Sequence, residues 1–126
     1  MKAATREWVQ KDESDYQVAK VLSRRRKVAF HDEVCFHLQK SAEKYFKARL
    51  QEAGMRIPKT HDLEVLLDLL LPLEPLWAAL RSSADYLTDY AVQFRYPGNE
   101  ASAANAKAAL TKATAIRKEV RATLGL

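Results

Sequence analysis

Three histidines and one cysteine are the residues of this chain that could support metal or nucleophilic chemistry. His31 and His37 are six positions apart, so they do not share a helix face as metal ligands would. His61 stands alone in a segment with loop character, where a histidine is more often a hydrogen-bonded structural residue. Cys35 lies in a helical pattern and needs no role beyond packing, and one cysteine excludes a disulfide framework. Without a Gly-rich loop or a Ser/His/Asp set, we predict no catalytic residues, no metal site and no cofactor.

The elements that must position any site are helices. The 3 glycines and 4 prolines stand between long segments that contain no helix breaker. Apolar residues recur at helical spacing over about residues 5–23 and again over about residues 32–53. Within the second segment, Glu43 and Lys47 form an i, i+4 pair off the apolar stripe, worth a few tenths of a kcal/mol.

The second half of the chain is also helical by its pattern. A leucine-rich helix begins at Thr60 or Asp62, and Pro72 and Pro75 bracket a kink or break after it. A further stripe contains Leu76, Leu80 and Leu87 and runs to Arg95, and an Ala-rich helix begins at Asn99 or Ser102. We predict a single all-α domain over residues 1–126, an up-and-down bundle of four to five helices. Its predicted core consists of Val34, Leu38, Ala42, Phe46, Leu66, Leu70, Leu80 and Leu87.

The charge is distributed unevenly along the 126 residues, which carry a net charge of +5. Residues 1–61 hold 14 basic and 8 acidic side chains, residues 62–100 hold 2 and 7, and residues 101–126 hold 5 and 1. An acidic middle between basic ends is unlike a uniformly basic nucleic-acid coat, and favours complementary packing. The basic run at residues 24–27 is interpreted first as favourable charge at a helix C-terminus, with phosphate contact as the alternative. No secretory signal or membrane-length apolar run is visible, so we expect a soluble cytoplasmic protein.

A pattern of residues spread over these helices carries a family resemblance. Its pieces are Phe36-x-x-Gln39-x-x-x-Glu43-Lys44-Tyr45-Phe46-Lys47-Ala48, then Thr60-His61-Asp62-Leu63, then Arg95-Tyr96-Pro97, with Asp15 and Ala19 before them. In order and spacing they resemble the HEPN domain family (higher eukaryotes and prokaryotes nucleotide-binding) over nearly the whole chain. The resemblance implies a helical bundle that is usually dimeric. It also implies a minimal nucleotidyltransferase partner, encoded beside it in a toxin–antitoxin pair.

Some HEPN proteins are metal-independent ribonucleases that use an arginine and, after four to six intervening residues, a histidine. Arg95 matches that arginine, but Glu100, Ala101 and Ser102 stand where the histidine is expected, and no histidine follows His61. The resemblance and the charges together select candidate residues for binding a nucleotide or a partner: Glu43, Lys44, Lys47, His61, Asp62, Arg95 and Tyr96.

Three functional hypotheses follow. The first is a non-catalytic HEPN-type binding module, acting as a homodimer or with a nucleotidyltransferase-domain protein, a nucleotide or RNA. The second is a divergent HEPN ribonuclease toxin in which Arg95 holds the phosphate and Glu100 or His61 is the base. The third is a helical interaction protein without a ligand, in which Arg95 pairs with a carboxylate and Tyr96 stacks on the end of the bundle.

Overall fold

The protein is an all-α bundle. The computed structural model describes residues 1–93 and 96–126, with the backbone alone for residues 90–92. Over these residues there is no β-strand, and none of the helices is long and apolar enough to cross a membrane. Residues 1–93 and 96–126 contain five α-helices, and a 3₁₀ helix over Pro75–Leu80 leads into the fourth. The α-helices are α1 (Ala3–Ser23), α2 (His31–Glu52), α3 (Leu63–Leu70), α4 (Arg81–Gln93) and α5 (Ala103–Thr123).

Helix α2 is the centre of the bundle, because it contacts each of the other four α-helices. More than half of its 22 residues are buried. Tyr45 and Phe46 are among the largest fully buried side chains, and the ring of Phe46 lies 6.1 Å from that of Trp77. All eight predicted core residues are buried, which confirms the predicted core.

The connection between α2 and α3 departs from simple alternation of helix direction. Residues 53–62 run back along α2, so that the backbone carbonyl of His61 accepts a hydrogen bond from Gln39 Nε2 at 2.8 Å. Further along, Arg49 of α2 pairs with Glu74, which follows α3, at 3.1 Å. The two contacts follow the same order along both segments, so α2 and α3 are parallel. By contrast, α1 and α2 are antiparallel, since Thr5 Oγ1 bonds Glu52 at 2.9 Å.

Local signals fix where the later helices begin. Asp62 is the N-cap of α3, where its carboxylate accepts from the N–H of Glu64 at 2.9 Å. Ser102 begins α5 through a reciprocal capping box with Asn105, its hydroxyl accepting the Asn105 N–H at 3.0 Å. Of the alternatives left open by the sequence, Asp62 and Ser102 are thus the caps. The predicted end of the fourth helix at Arg95 lies outside the described residues.

The prediction that Leu76 continues the buried stripe is wrong, because Leu76 is 89% exposed. The break predicted around Pro72 and Pro75 is confirmed, and the chain resumes as a 3₁₀ helix. A 3₁₀ helix has three residues per turn, so residues three apart share a face. Trp77 and Leu80 therefore point into the core together, and Leu76 faces outward.

We predict that Leu70→Ala lowers the free energy of unfolding by about 2–5 kcal/mol, because it leaves a cavity at a fully buried position. Leu69→Ala is the matched control on the same helix, where the side chain is 36% exposed. It should cost about 1 kcal/mol or less. Urea unfolding of both variants measures the difference, and equal losses would contradict the assigned core face.

Candidate functional site

Glu43 is the centre of a buried polar cluster on α2. Its Oε2 accepts from Lys47 Nζ at 2.9 Å, and its Oε1 accepts from His61 Nδ1 at 2.8 Å, because a carboxylate can only accept. Glu43 and Lys47 are both buried, whereas the His61 side chain is 71% exposed. The predicted i, i+4 pair of Glu43 and Lys47 is present, but it is buried rather than off the buried face of α2. Of the candidate residues, Glu43, Lys47 and His61 are brought into direct contact.

The electrostatics of this cluster keep Glu43 ionised. Burial by itself raises the pKa of the Glu43 carboxyl, but hydrogen bonds from Lys47 and His61 and the charge of Lys40 outweigh it. The net pKa lies below its usual value. Lys47 also lies over the ring of Trp8, 5.9 Å from its centroid. The Lys47 ammonium and the Glu43 carboxylate are buried and bind each other. The exposed part of the cluster is therefore the imidazole of His61.

Asp62 and Lys44 hold different positions from this cluster. Asp62 follows His61 directly, but its carboxylate caps α3. Lys44 pairs with Asp15 of α1, whose second carboxylate oxygen lies 2.9 Å from His37 Nδ1. Lys44 is thus engaged at the α1–α2 interface and not with Glu43.

Tyr96 lies in the loop between α4 and α5, where 65% of its surface is exposed. Its carbonyl accepts from the Asn99 N–H at 3.3 Å, across a Pro97-Gly98 pair in which Gly98 has φ 91°. That arrangement fits a type II turn, which needs a positive φ at its third residue. An exposed Tyr96 does not fit the alternative in which its ring stacks on the bundle end. Arg95 lies outside the described residues.

A hydrogen bond fixes where this loop stands relative to the Glu43 cluster. The Ala101 N–H donates to Asp32 Oδ1 in the first turn of α2 at 2.7 Å. Glu43 lies 11 residues further along α2, which is about 16 Å at 1.5 Å per residue. The candidate residues therefore occupy separate regions: the middle of α2, the α1–α2 interface, and the α4–α5 loop at one end of the bundle.

The sequence interpretation missed a buried carboxylate, Asp12 of α1. Ser41 donates a hydrogen bond to Asp12 Oδ1, and Asp12 Oδ2 has no partner among the described residues. Burial raises the pKa of Asp12 to about 9, against the opposing Ser41 hydrogen bond, and the neighbouring Glu13 raises it further. The signal was present, because Asp12 falls at helical spacing with the buried Tyr16 and Ala19. A search for apolar stripes passes over a polar residue on the core face.

The carboxyl group of Glu13, the residue after Asp12, has a lowered pKa and is held in its ionised form. Burial alone raises the pKa of its carboxyl, but hydrogen bonds from Arg117 and Tyr45 outweigh it, and the net pKa is lowered. Arg117 Nε donates to Glu13 at 2.7 Å and Arg121 donates to the Tyr45 hydroxyl at 3.1 Å. These hydrogen bonds join α1, α2 and α5, so the network stabilises the packing of the three helices.

In the part of the chain that the structure describes, no group of three His, Cys, Asp or Glu residues could hold a metal ion. Cys35 is buried, and desolvation raises the pKa of its thiol to about 11. A thiol in that state is a poor nucleophile, since the thiolate is the reactive form. Packing accounts for Cys35.

The helical bundle and the order of the sequence motifs place the chain in a class of small α-helical domains. The family model described as HEPN domain matches residues 5–123, and the chain belongs to the HEPN family. No curated protein and no solved structure matches it. The match confirms the family inferred from the sequence and defines a HEPN-type module.

We predict that Asp12→Asn raises thermal stability, by an amount that grows with pH. Between the unfolded pKa of 3.8 and the folded pKa of about 9, the folded chain retains a proton that the unfolded chain has lost, so Asp12 costs stability as pH rises. Asparagine does not ionise, and the variant should melt about 5 °C or more above the wild type at pH 8. Melting curves from pH 4 to 9 measure this. Glu7→Gln, an exposed carboxylate on the same helix, is the control and should show no such trend.

Proposed function

We propose that the chain is a non-catalytic HEPN-type binding module that acts with a minimal nucleotidyltransferase partner, or its nucleotide, in a toxin–antitoxin-like pair. A cytoplasmic location is part of this proposal. The observation that carries it is the absence of histidine from residues 62–126, so that Arg95 has no histidine following it. Arg95 retains a planar cation suited to bidentate contact with phosphate or carboxylate. Binding is therefore supported where the family's ribonuclease pair is incomplete.

The position of His61 supports the same proposal. His61 is bonded to Glu43 in the middle of α2 at 2.8 Å, whereas the loop that follows Arg95 is tied to Asp32 at the beginning of that helix. A general base must come within hydrogen-bond reach of the proton that it removes. His61 therefore lies about 16 Å along α2 from the point where Ala101 is held, and not beside residues 100–102, where the family's histidine would stand.

The second candidate, a divergent ribonuclease, is favoured by one observation. Glu100 is exposed in the same loop as Tyr96 and directly precedes Ala101. A carboxylate there could take a proton from a ribose hydroxyl. The assay below separates this candidate from the first.

We predict that the purified protein cleaves RNA weakly or not at all without metal. Arg95→Ala should weaken association with the nucleotidyltransferase or its nucleotide about ten- to a hundredfold, the usual loss for a charged hydrogen-bond pair. Co-purification with the product of the neighbouring gene, and mass spectrometry of any bound nucleotide, measure binding. Arg6→Ala on the exposed face of α1 is the matched control. Strong metal-independent cleavage by the wild type, lost in Arg95→Ala, would overturn the proposal, and lost thermal stability with unchanged binding would assign Arg95 to the scaffold.

We further propose that the module is a homodimer. An exposed apolar row follows the outer face of α3 at i, i+4 spacing and continues onto the 3₁₀ helix: Val65, Leu69, Leu73 and Leu76. A cluster of exposed apolar side chains is typical of interaction sites. Arg81 pairs with both Glu64 and Asp68 beside the row, so the flanking charge is partly neutralised. The same row on a second copy of the chain could cover this surface, because both are apolar.

Light scattering at micromolar concentration should give twice the 14.3 kDa mass of one chain. We predict that Leu73→Glu/Leu76→Glu shifts the protein to monomer, because it places charge in the apolar contact. Val21→Glu, on the exposed side of α1, is the control and should remain dimeric. A wild type that stays at 14.3 kDa would contradict the dimer, and dissociation by Val21→Glu alone would assign the contact to α1.

A further inference from the structure

The loop between α1 and α2 concentrates positive charge. Arg24, Arg25, Arg26 and Lys27 follow one another directly, and all four side chains are exposed. None of the four forms an ion pair with a residue that the structure describes. We call residues 24–27 the basic loop.

The fold gives little reason for so much charge at this place. A cation near a helix C-terminus is favourable, but the effect falls off within the last turn, and α1 ends at Ser23 with Arg24 as its C-cap. Three further cations lie beyond the cap. Asp32, the first acidic residue after the loop, accepts a hydrogen bond from the backbone of Ala101 at 2.7 Å. Four neighbouring like charges repel one another, so an anionic ligand would relieve a cost that the folded chain carries.

The basic loop curls around a depression that is also partly apolar. Its volume is about 580 Å³, and its lining combines the four cations with Leu22, Val28 and Phe30. Phe30 is half-buried and immediately precedes α2. Cations that track a phosphate backbone, together with an aromatic ring on which a base stacks, are the two components of single-strand binding sites. Three of the four cations are arginine, whose planar fork binds phosphate bidentately.

We propose that the basic loop binds the phosphate backbone of a single-stranded nucleic acid, with Phe30 contacting a base. This site is distinct from the candidate residues on α2 and does not rest on the proposed function. A membrane surface is less suited to it, because the neighbouring outer face of α1 interleaves Ser14 and Gln17 with Val18 and Val21. Peripheral membrane helices instead present a continuous apolar face.

The test is the salt dependence of binding to an oligonucleotide of about 12 nucleotides, within the site sizes of single-strand binders. Each phosphate neutralised contributes a slope of about −0.7 in log K against log salt for single strands. With four contacts, the affinity of the wild type should fall about 50-fold between 50 and 200 mM salt. In Arg24→Gln/Arg25→Gln, and separately in Arg26→Gln/Lys27→Gln, the fall should be only about 7-fold.

A matched control removes the same number of charges elsewhere. Arg56 and Lys59 are exposed in the segment of residues 53–62 that follows α2 and runs back along it, whereas the basic loop precedes α2. Arg56→Gln/Lys59→Gln should keep the wild-type salt slope. Phe30→Leu should weaken binding about tenfold without changing the slope, because stacking is lost and the charges remain. Melting temperatures establish that each variant is folded.

Several outcomes would overturn the proposal. Equal salt slopes in the wild type and both loop variants would remove the basic loop from the site. Binding that is lost in Arg95→Ala but unchanged in the loop variants would place the strand at Arg95 instead. Equal affinity for heparin, with no effect of Phe30→Leu, would reduce the loop to a general anion-attracting patch. Stronger binding to phosphatidylserine vesicles than to RNA or DNA would assign it to a membrane surface.

Discussion

A carboxylate buried at the middle of the central helix is the constraint on which much of this bundle depends. An ionised group removed from water must be paired and hydrogen-bonded, or the cost of burial is several kcal/mol. Glu43 finds Lys47 one turn away on its own helix, and its second partner, His61, comes from a distant part of the chain. To bring His61 there, residues 53–62 must run back along α2. This return sets α3 parallel to α2, and it presents the leucines of α3 to the core.

A second buried carboxylate is accommodated by the opposite means. Asp12 has a serine hydroxyl and no cation in hydrogen-bond contact, and burial raises its pKa to about 9, so it is neutral inside the fold. Glu43 is ionised, and both of its carboxylate oxygens accept hydrogen bonds. Asp12 is uncharged, and of its two oxygens only Oδ1 has a hydrogen-bond partner among the described residues. Both lie at contacts that α2 makes with its neighbours. The polar residues within the bundle therefore serve its internal contacts, and the surfaces left for partners are its outer faces and ends.

Much of the fold was predictable because helical periodicity and helix-breaking residues act locally. The core residues from Val34 to Leu87 and the caps at Asp62 and Ser102 follow from such signals. Leu76 was mispredicted because a 3₁₀ helix changes the period from 3.6 to 3, and the stripe was extended through it unchanged. The site was less predictable. The contact of Glu43 with His61 depends on the course of the return loop, which no local pattern specifies, and Asp12 was missed because its polarity hid its position on the core face. The family pattern grouped Lys44 and Tyr96 with Glu43, although the three residues face different surroundings.

The exposed basic loop also has a consequence for the integrity of the chain. Each of its four residues is a recognition residue for trypsin-like proteases, and exposed loops are the preferred places for a chain to be nicked. Cleavage there would separate α1 from the other helices along the backbone. The side chains of α1 would still hold it, through Asp12 with Ser41, Asp15 with Lys44, and Glu13 with Arg117. After such a cut, these side-chain contacts rather than the backbone would join α1 to the remaining four helices.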